Sequence, residues 1–147
     1  MSTTDRTGAC LCGAVRFTAS AVRSDYGACH CEMCRRWTGS VFLGVSVPEG
    51  DLIWEGSENI RRYVSSDWAE RAWCDRCGAN LWYAVTVDGP HKGTLEIPLG
   101  LFDDPNGFEL QRELYFDIAP DSFAIAGERQ KMTAEETRRR FGGEATP

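Results

Sequence analysis

Seven cysteines, all confined to three short clusters, constrain this 147-residue chain more than any other feature. They read Cys10-Leu11-Cys12-Gly13, Cys29-His30-Cys31-Glu32-Met33-Cys34 and Cys74-Asp75-Arg76-Cys77-Gly78. Residues two apart in extended chain project to the same side, so Cys10 with Cys12, and Cys29 with Cys31, can each grip one ion. Cys-x-x-Cys followed by glycine is a zinc-knuckle pattern, because glycine takes positive φ and lets backbone amides turn toward the thiolates. An odd number of cysteines in tight pairs argues for metal ligation over disulfides.

A structural zinc takes four protein ligands, whereas a catalytic zinc takes three and keeps one position open. Seven cysteines divide as four and three. On this arithmetic Cys10, Cys12, Cys74 and Cys77 form a closed structural zinc site. Cys29, Cys31 and Cys34 then form an open, catalytic zinc site on one loop, giving two zinc ions per chain. Ligands exchanged between the clusters are the alternative that spacing leaves open. His30, between two ligands in extended chain, is expected to face away from the metal. Three thiolates on zinc carry a net negative charge, which makes a poor generator of hydroxide but a good acceptor of a soft fourth ligand. A thiol, with an ordinary pKa of about 8.5, would lose its proton there. Making or breaking a carbon–sulfur bond is the chemistry such a site favours.

Most of the remaining chain alternates with period two. Leu95, Ile97, Leu99 and Leu101 share one face, and Leu81, Tyr83, Val85 and Val87 repeat the pattern one segment earlier. Asp88-Gly89-Pro90 and Gly93 lie between them, so residues 80–101 read as an antiparallel hairpin. Further short strands are expected at Ala14–Thr18, Val41–Val47, Leu52–Glu55, Ile60–Ser65 and Glu70–Trp73. One helix is expected at 134–141, opened by the capping-box spacing of Thr133 and Glu136 and stopped by Gly142-Gly143. Its Arg138-Arg139-Arg140 run complements a helix C-terminus. The expectation is a single, mostly β domain of packed antiparallel sheets with a short C-terminal helix.

Hydrophobic residues make up 42%, enough for a chain of this length to bury roughly 70% of its unfolded surface. The formal charge is -6, and seven thiolates with two zinc ions would take it to about -9. Such a surface repels phosphate backbones and argues against nucleic acid as a partner. No apolar run reaches membrane-spanning length and 1–13 lacks a signal-peptide pattern, so a reducing cytoplasm is the expected compartment.

Three motifs in this order resemble the glutathione-dependent formaldehyde-activating enzyme family, to which centromere protein V also belongs. They are Cys10-Leu11-Cys12-Gly13-Ala14-Val15, the run from Cys29 through Arg35-Arg36-Trp37-Thr38-Gly39-Ser40, and Trp73-Cys74-Asp75-Arg76-Cys77-Gly78 with Leu81. The resemblance covers roughly residues 8–125. It implies a β-tent fold like that of methionine-R-sulfoxide reductase, with structural zinc on Cys10, Cys12, Cys74 and Cys77. It also implies catalytic zinc on Cys29, Cys31 and Cys34. The implied activity joins glutathione and formaldehyde into S-hydroxymethylglutathione, with glutathione or a similar small thiol as partner. Where the family often carries a histidine followed by aromatic residues, this chain reads Leu114-Tyr115-Phe116. Arg35 or Arg36 is positioned to pair with a substrate carboxylate, or to brace the loop. Trp37, Trp73 and Trp82 are candidates for a pocket wall or for core, and His91 reads as a turn residue. A non-catalytic two-zinc scaffold is the rival reading. Sulfoxide reduction would need a redox cysteine beyond the metal ligands, and none is left over.

Overall fold

A computed structural model describes residues 2–142. In chain order the elements begin with β1 (Thr3–Ala9), β2 (Arg16–Arg23), β3 (Asp25–Cys29), α1 (Glu32–Thr38) and β4 (Phe42–Pro48). There follow β5 (Leu52–Glu55), β6 (Ile60–Ser66), β7 (Ala69–Cys74), β8 (Asn80–Val85) and β9 (Thr94–Pro98). The chain closes with β10 (Glu109–Leu114), β11 (Gln130–Lys131) and α2 (Ala134–Phe141). Strands β1-β2-β5 form a small sheet, and β11-β10-β3-β4-β9-β8-β7-β6 form a large one. The protein is mostly β with two short helices, as the patterning indicates. All pairs are antiparallel except β3–β10 and β10–β11, which are parallel, so the large sheet is mixed.

Each strand of the large sheet sends alternate residues to opposite faces. From β4, Val45 and Val47 point into the core between the sheets, while Phe42, Gly44 and Ser46 point the other way. From β9, Leu95 and Ile97 enter the same core. Phe17, Ala19 and Val22 of β2 meet them from the small sheet. The change of phase between Ala19 and Val22 comes from a bulge: Ala21 takes φ +49, and its N–H donates to Asp5 Oδ1 at 2.9 Å. Fully buried side chains such as Phe17, Leu81 and Ile97 each contribute about 1.5–3 kcal/mol.

The expected hairpin forms, with Tyr83 opposite Glu96 and Ala84 opposite Leu95. Its first strand is phased differently from the sequence reading. Trp82 and Ala84 enter the core, whereas Tyr83 and Val85 line a cavity on the far side and Val87 is exposed. The physical reason is an irregularity in β7–β8 pairing at Ala72/Trp73, which leaves Leu81 in the core out of step with its neighbours. The opening strand is β1, ahead of the expected Ala14–Thr18; its Thr3–Ala9 sequence is polar and without alternation, so no periodicity marks it. Helix α2 has the expected bounds, with both hydrogen bonds of the capping box in place. Among the described residues, no helix is long and apolar enough to cross a membrane.

Candidate functional site

The turn from β1 to β2 carries Cys10 and Cys12, Cys74 ends β7, and Cys77 lies in the turn from β7 to β8. Folding brings these four together, every Sγ within 4.8 Å of the others. Cys10 Sγ lies 3.7 Å from Cys12 Sγ, and Cys12 Sγ lies 3.9 Å from Cys74 Sγ. A sulfur tetrahedron with metal–sulfur bonds of 2.3 Å has edges of about 3.8 Å, so these separations suit one four-coordinate soft cation. Gly13 and Gly78 both take φ +79, the conformation that the two knuckles demand. Val15 N–H donates to Cys10 Sγ at 3.3 Å and Arg76 N–H to Cys74 Sγ at 3.4 Å.

The second cluster is Cys29, Cys31 and Cys34, again with all sulfurs within 4.8 Å. The sequence places it on a loop, but only partly so: Cys29 ends β3, Cys31 is the N-cap of α1, and Cys34 lies in its first turn. Cys31 Sγ accepts the Cys34 N–H at 3.3 Å, and Gly39, at φ +78, ends the helix. Among the described residues, no histidine, carboxylate or other cysteine joins the three. Left as thiols they cannot all ionise together. Hydrogen bonds from Cys29 and Cys34 pull Cys31 down to about 3. The Cys31 and Cys34 contacts, with burial, push Cys29 well above its ordinary value. A divalent cation would supply the charge that makes three thiolates compatible. Both clusters could therefore hold metal ions.

His30 points away from the sulfurs, as extended geometry requires. Its ring is fully buried, with Nε2 2.8 Å from Glu113 Oε1, and Arg129 Nη1 donates to Glu113 Oε2 at 2.6 Å. This chain of contacts ties the cysteine loop to β10 and to the segment before β11.

The far face of the large sheet, α1 and α2 enclose a cavity of about 450 Å³ that opens on Cys29, Cys31 and Cys34. Arg71 of β7 is its buried cation: Nη1 donates to Cys34 Sγ at 3.6 Å. Its guanidinium lies 4.9 Å from the Trp37 ring centroid and 4.8 Å from that of Tyr83. Arg71 Nε is buried without a hydrogen-bond partner. Burial, then the neighbouring Cys34 charge, raises the Tyr83 hydroxyl. Glu96 and Ser46 line the cavity further along, and His91, which packs on Phe141 with ring centroids 5.1 Å apart, stands with Arg140 at its rim.

Arg35 and Arg36 are placed elsewhere. Neither lines the cavity, and Arg36 pairs with Glu32 on the outer side of α1. Gly39 and Ser40 are exposed at the helix end. Trp82 is core, Trp37 packs between Phe42 and Arg71, and Trp68, which the sequence did not single out, is the tryptophan lining the cavity. Arg71 and Glu96 were missed because a charged residue in a strand, whether beside another charge as in Glu70-Arg71 or between apolar residues as in Leu95-Glu96-Ile97, reads as facing solvent. Here the opposite face of the sheet is covered too.

A family model described as glutathione-dependent formaldehyde-activating enzyme matches residues 5–117. The chain belongs to that family. A Schizosaccharomyces pombe protein named an uncharacterized lyase is 32% identical over 129 residues, covering 88% of this chain and 91% of the relative. A Halomonas elongata protein, whose name carries the words glutathione-dependent formaldehyde-activating enzyme, is 32% identical over 84 residues, or 51% of this chain and 53% of its own. A crystal structure of a Rhodobacter sphaeroides protein shares the fold with a TM-score of 0.57 and 19% identity, covering 86% of this chain and 99% of that one. The family match spans both cysteine clusters and the strands from β2 to β10.

Proposed function

We propose that this family member is a zinc-dependent carbon–sulfur lyase acting on a small thiol adduct, with glutathione plus formaldehyde to S-hydroxymethylglutathione as the reaction its family and relatives' names favour. The observation that carries the reading is a cluster of three cysteines, without a fourth protein donor among the described residues, opening on a 450 Å³ cavity. Zinc on Cys10, Cys12, Cys74 and Cys77 is structural in this reading, and zinc on Cys29, Cys31 and Cys34 is catalytic. When bound there, zinc supplies a soft Lewis acid that favours the ionised form of a substrate thiol.

In the synthetic direction the substrate sulfur forms a bond to the aldehyde carbon, the carbonyl π bond breaks, and the thiol proton ends on the new hydroxyl oxygen. Atoms balance without an oxidant or reductant. Arg71 is the group of this chain suited to the developing oxyanion. It lines the cavity beside Cys34 and is held in place by Trp37 and Tyr83.

Cobalt substitution tests the reading. A thiol entering the second site should change the cobalt–sulfur charge-transfer and ligand-field bands, and Arg71→Met should lower kcat/KM about a hundredfold or more. Bands that ignore glutathione and simple thiols alike would leave the scaffold reading standing instead.

A further inference from the structure

Beyond the cysteine end, the cavity wall contains a second polar centre that the chemistry above does not use. Cross-strand pairing places Arg71, Tyr83, Glu96 and Ser46 in one row across β7, β8, β9 and β4. Ser46 Oγ donates to Glu96 Oε1 at 2.8 Å. Arg112 of β10 reaches the same cavity beside Gly27, and its Nη1 is 3.8 Å from Asp25 Oδ2, too far for a hydrogen bond. A carboxylate offers about four acceptor positions, and Ser46 fills one of Glu96's. Burial raises the Glu96 carboxyl above its ordinary value, although Ser46 and the Arg112 charge work against that. A carboxyl left in such a position is costly unless something arrives to pair with it.

Between this centre and the cysteines the floor has no side chain of its own at two facing positions, Gly27 of β3 and Gly44 of β4, with the Arg112 stem beside the first and the Phe42 ring beside the second. A methyl on Gly44 would come 2.9 Å from the Phe42 ring. The rung of β4 opposite Cys29 is Phe42 and the rung opposite Glu96 is Ser46, a separation of about 13 Å at 3.3 Å per residue, shortened by the reach of the side chains.

We propose that Glu96, Ser46 and Arg112 form a docking subsite for the amino-acid head of an extended thiol. The ammonium pairs with Glu96 and the head's carboxylate with Arg112, while a peptide-like spacer crosses the Gly27–Gly44 floor to the sulfur end. An ammonium brings three donors to the open acceptor positions of Glu96. The length of the floor selects a thiol whose head is carried on a spacer, as in a γ-glutamyl tripeptide, over free cysteine. The substrate class rests on the thiol reading of the previous subsection, but the subsite can be tested apart from it.

The probe is S-methylglutathione, which keeps the head and spacer but cannot ligate as a thiolate, titrated calorimetrically into the metal-loaded protein. Acetylating its amino group should weaken binding at least about tenfold, the loss expected for a hydrogen bond between charged groups. Glu96→Gln, which keeps a partner for Ser46, should reduce that preference to within about threefold. Glu96→Asp, which keeps the charge, should retain part of it. Arg112→Gln should weaken S-methylglutathione but not its analogue with the head carboxylate amidated. Equal binding of free and acetylated forms would overturn the proposal. So would no binding at millimolar concentration, a preference that survives Glu96→Gln, or S-methylcysteine binding as tightly as S-methylglutathione. If the cobalt bands ignore every thiol while the acetylation preference holds, the metal–thiol reading fails and the subsite stands.

Discussion

Replacing Glu113 with alanine removes the centre of a buried charged chain. Its side chain is 1% exposed, that of His30 0% and that of Arg129 6%. The carboxylate accepts from both neighbours, and its loss strands the Arg129 guanidinium in the interior. Breaking a buried pair in this way costs about 3–5 kcal/mol, most of it the penalty of the orphaned charge rather than the net worth of the pair. At about 2–4 °C per kcal/mol for a chain of this size, the melting temperature of the metal-loaded protein should fall by roughly 10–15 °C. The same argument predicts that Glu113→Ala/Arg129→Met costs less than the sum of the single changes, by about 1 kcal/mol or more, because the double variant leaves no buried charge. The pH dependence has a definite sign. Burial alone would raise Glu113, but hydrogen bonds from His30 and Arg129 outweigh it and hold the carboxyl below its ordinary value. The unfolded state therefore binds more protons. Glu113's contribution is fully present above the unfolded value of about 4.3 and is lost as pH falls through the lower folded value. Urea titrations of the four proteins at fixed zinc, between pH 7 and acid, measure all of this. Strictly additive costs, or a Glu113→Ala penalty unchanged at acid pH, would refute the orphaned-charge account.

Three further outcomes are expected. Purified protein should hold two zinc ions, and Cys12→Ser should unfold it, since structural zinc contributes on the order of 10 kcal/mol in small domains; Cys31→Ser should remain folded with one zinc by metal analysis. Gly56→Ala should destabilise by more than about 4 kcal/mol in denaturant titration, because φ is +80 and the new methyl would lie 1.8 Å from the Ala14 carbonyl oxygen; Gly78→Ala, at φ +79 with nothing within 4 Å, should lose only about 1–2 kcal/mol. Glu96→Gln should melt higher than the parent at neutral pH and not below about pH 4, because a carboxyl raised by burial makes the folded state less stable as pH climbs past its unfolded value.

The cysteine spacing by itself specified much of this protein. Cys-x-Cys and Cys-x-x-Cys-Gly are local geometry: two ligands on one side of extended chain, and a glycine at φ +79 after each knuckle. Grouping seven cysteines as four and three follows from what a tetrahedral ion accepts, and the fold brings together the sets that this arithmetic named. The direction of His30 and the bounds and cap of α2 were legible for the same reason, since each depends on neighbours within a few residues. Tertiary structure decided what depends on a second layer. Arg71 follows Glu70 in a short charged stretch, and Glu96 alternates with Leu95 and Ile97, patterns identical for a solvated face and a lined cavity. Only the packing of α1 and α2 over that face makes one the buried cation beside the sulfurs and the other a desolvated acid. Arg36, adjacent to the ligands in sequence, is turned outward by one helical turn to Glu32. Arg71, 37 positions from Cys34, is brought into contact with it by a sheet whose long-range register no local pattern encodes.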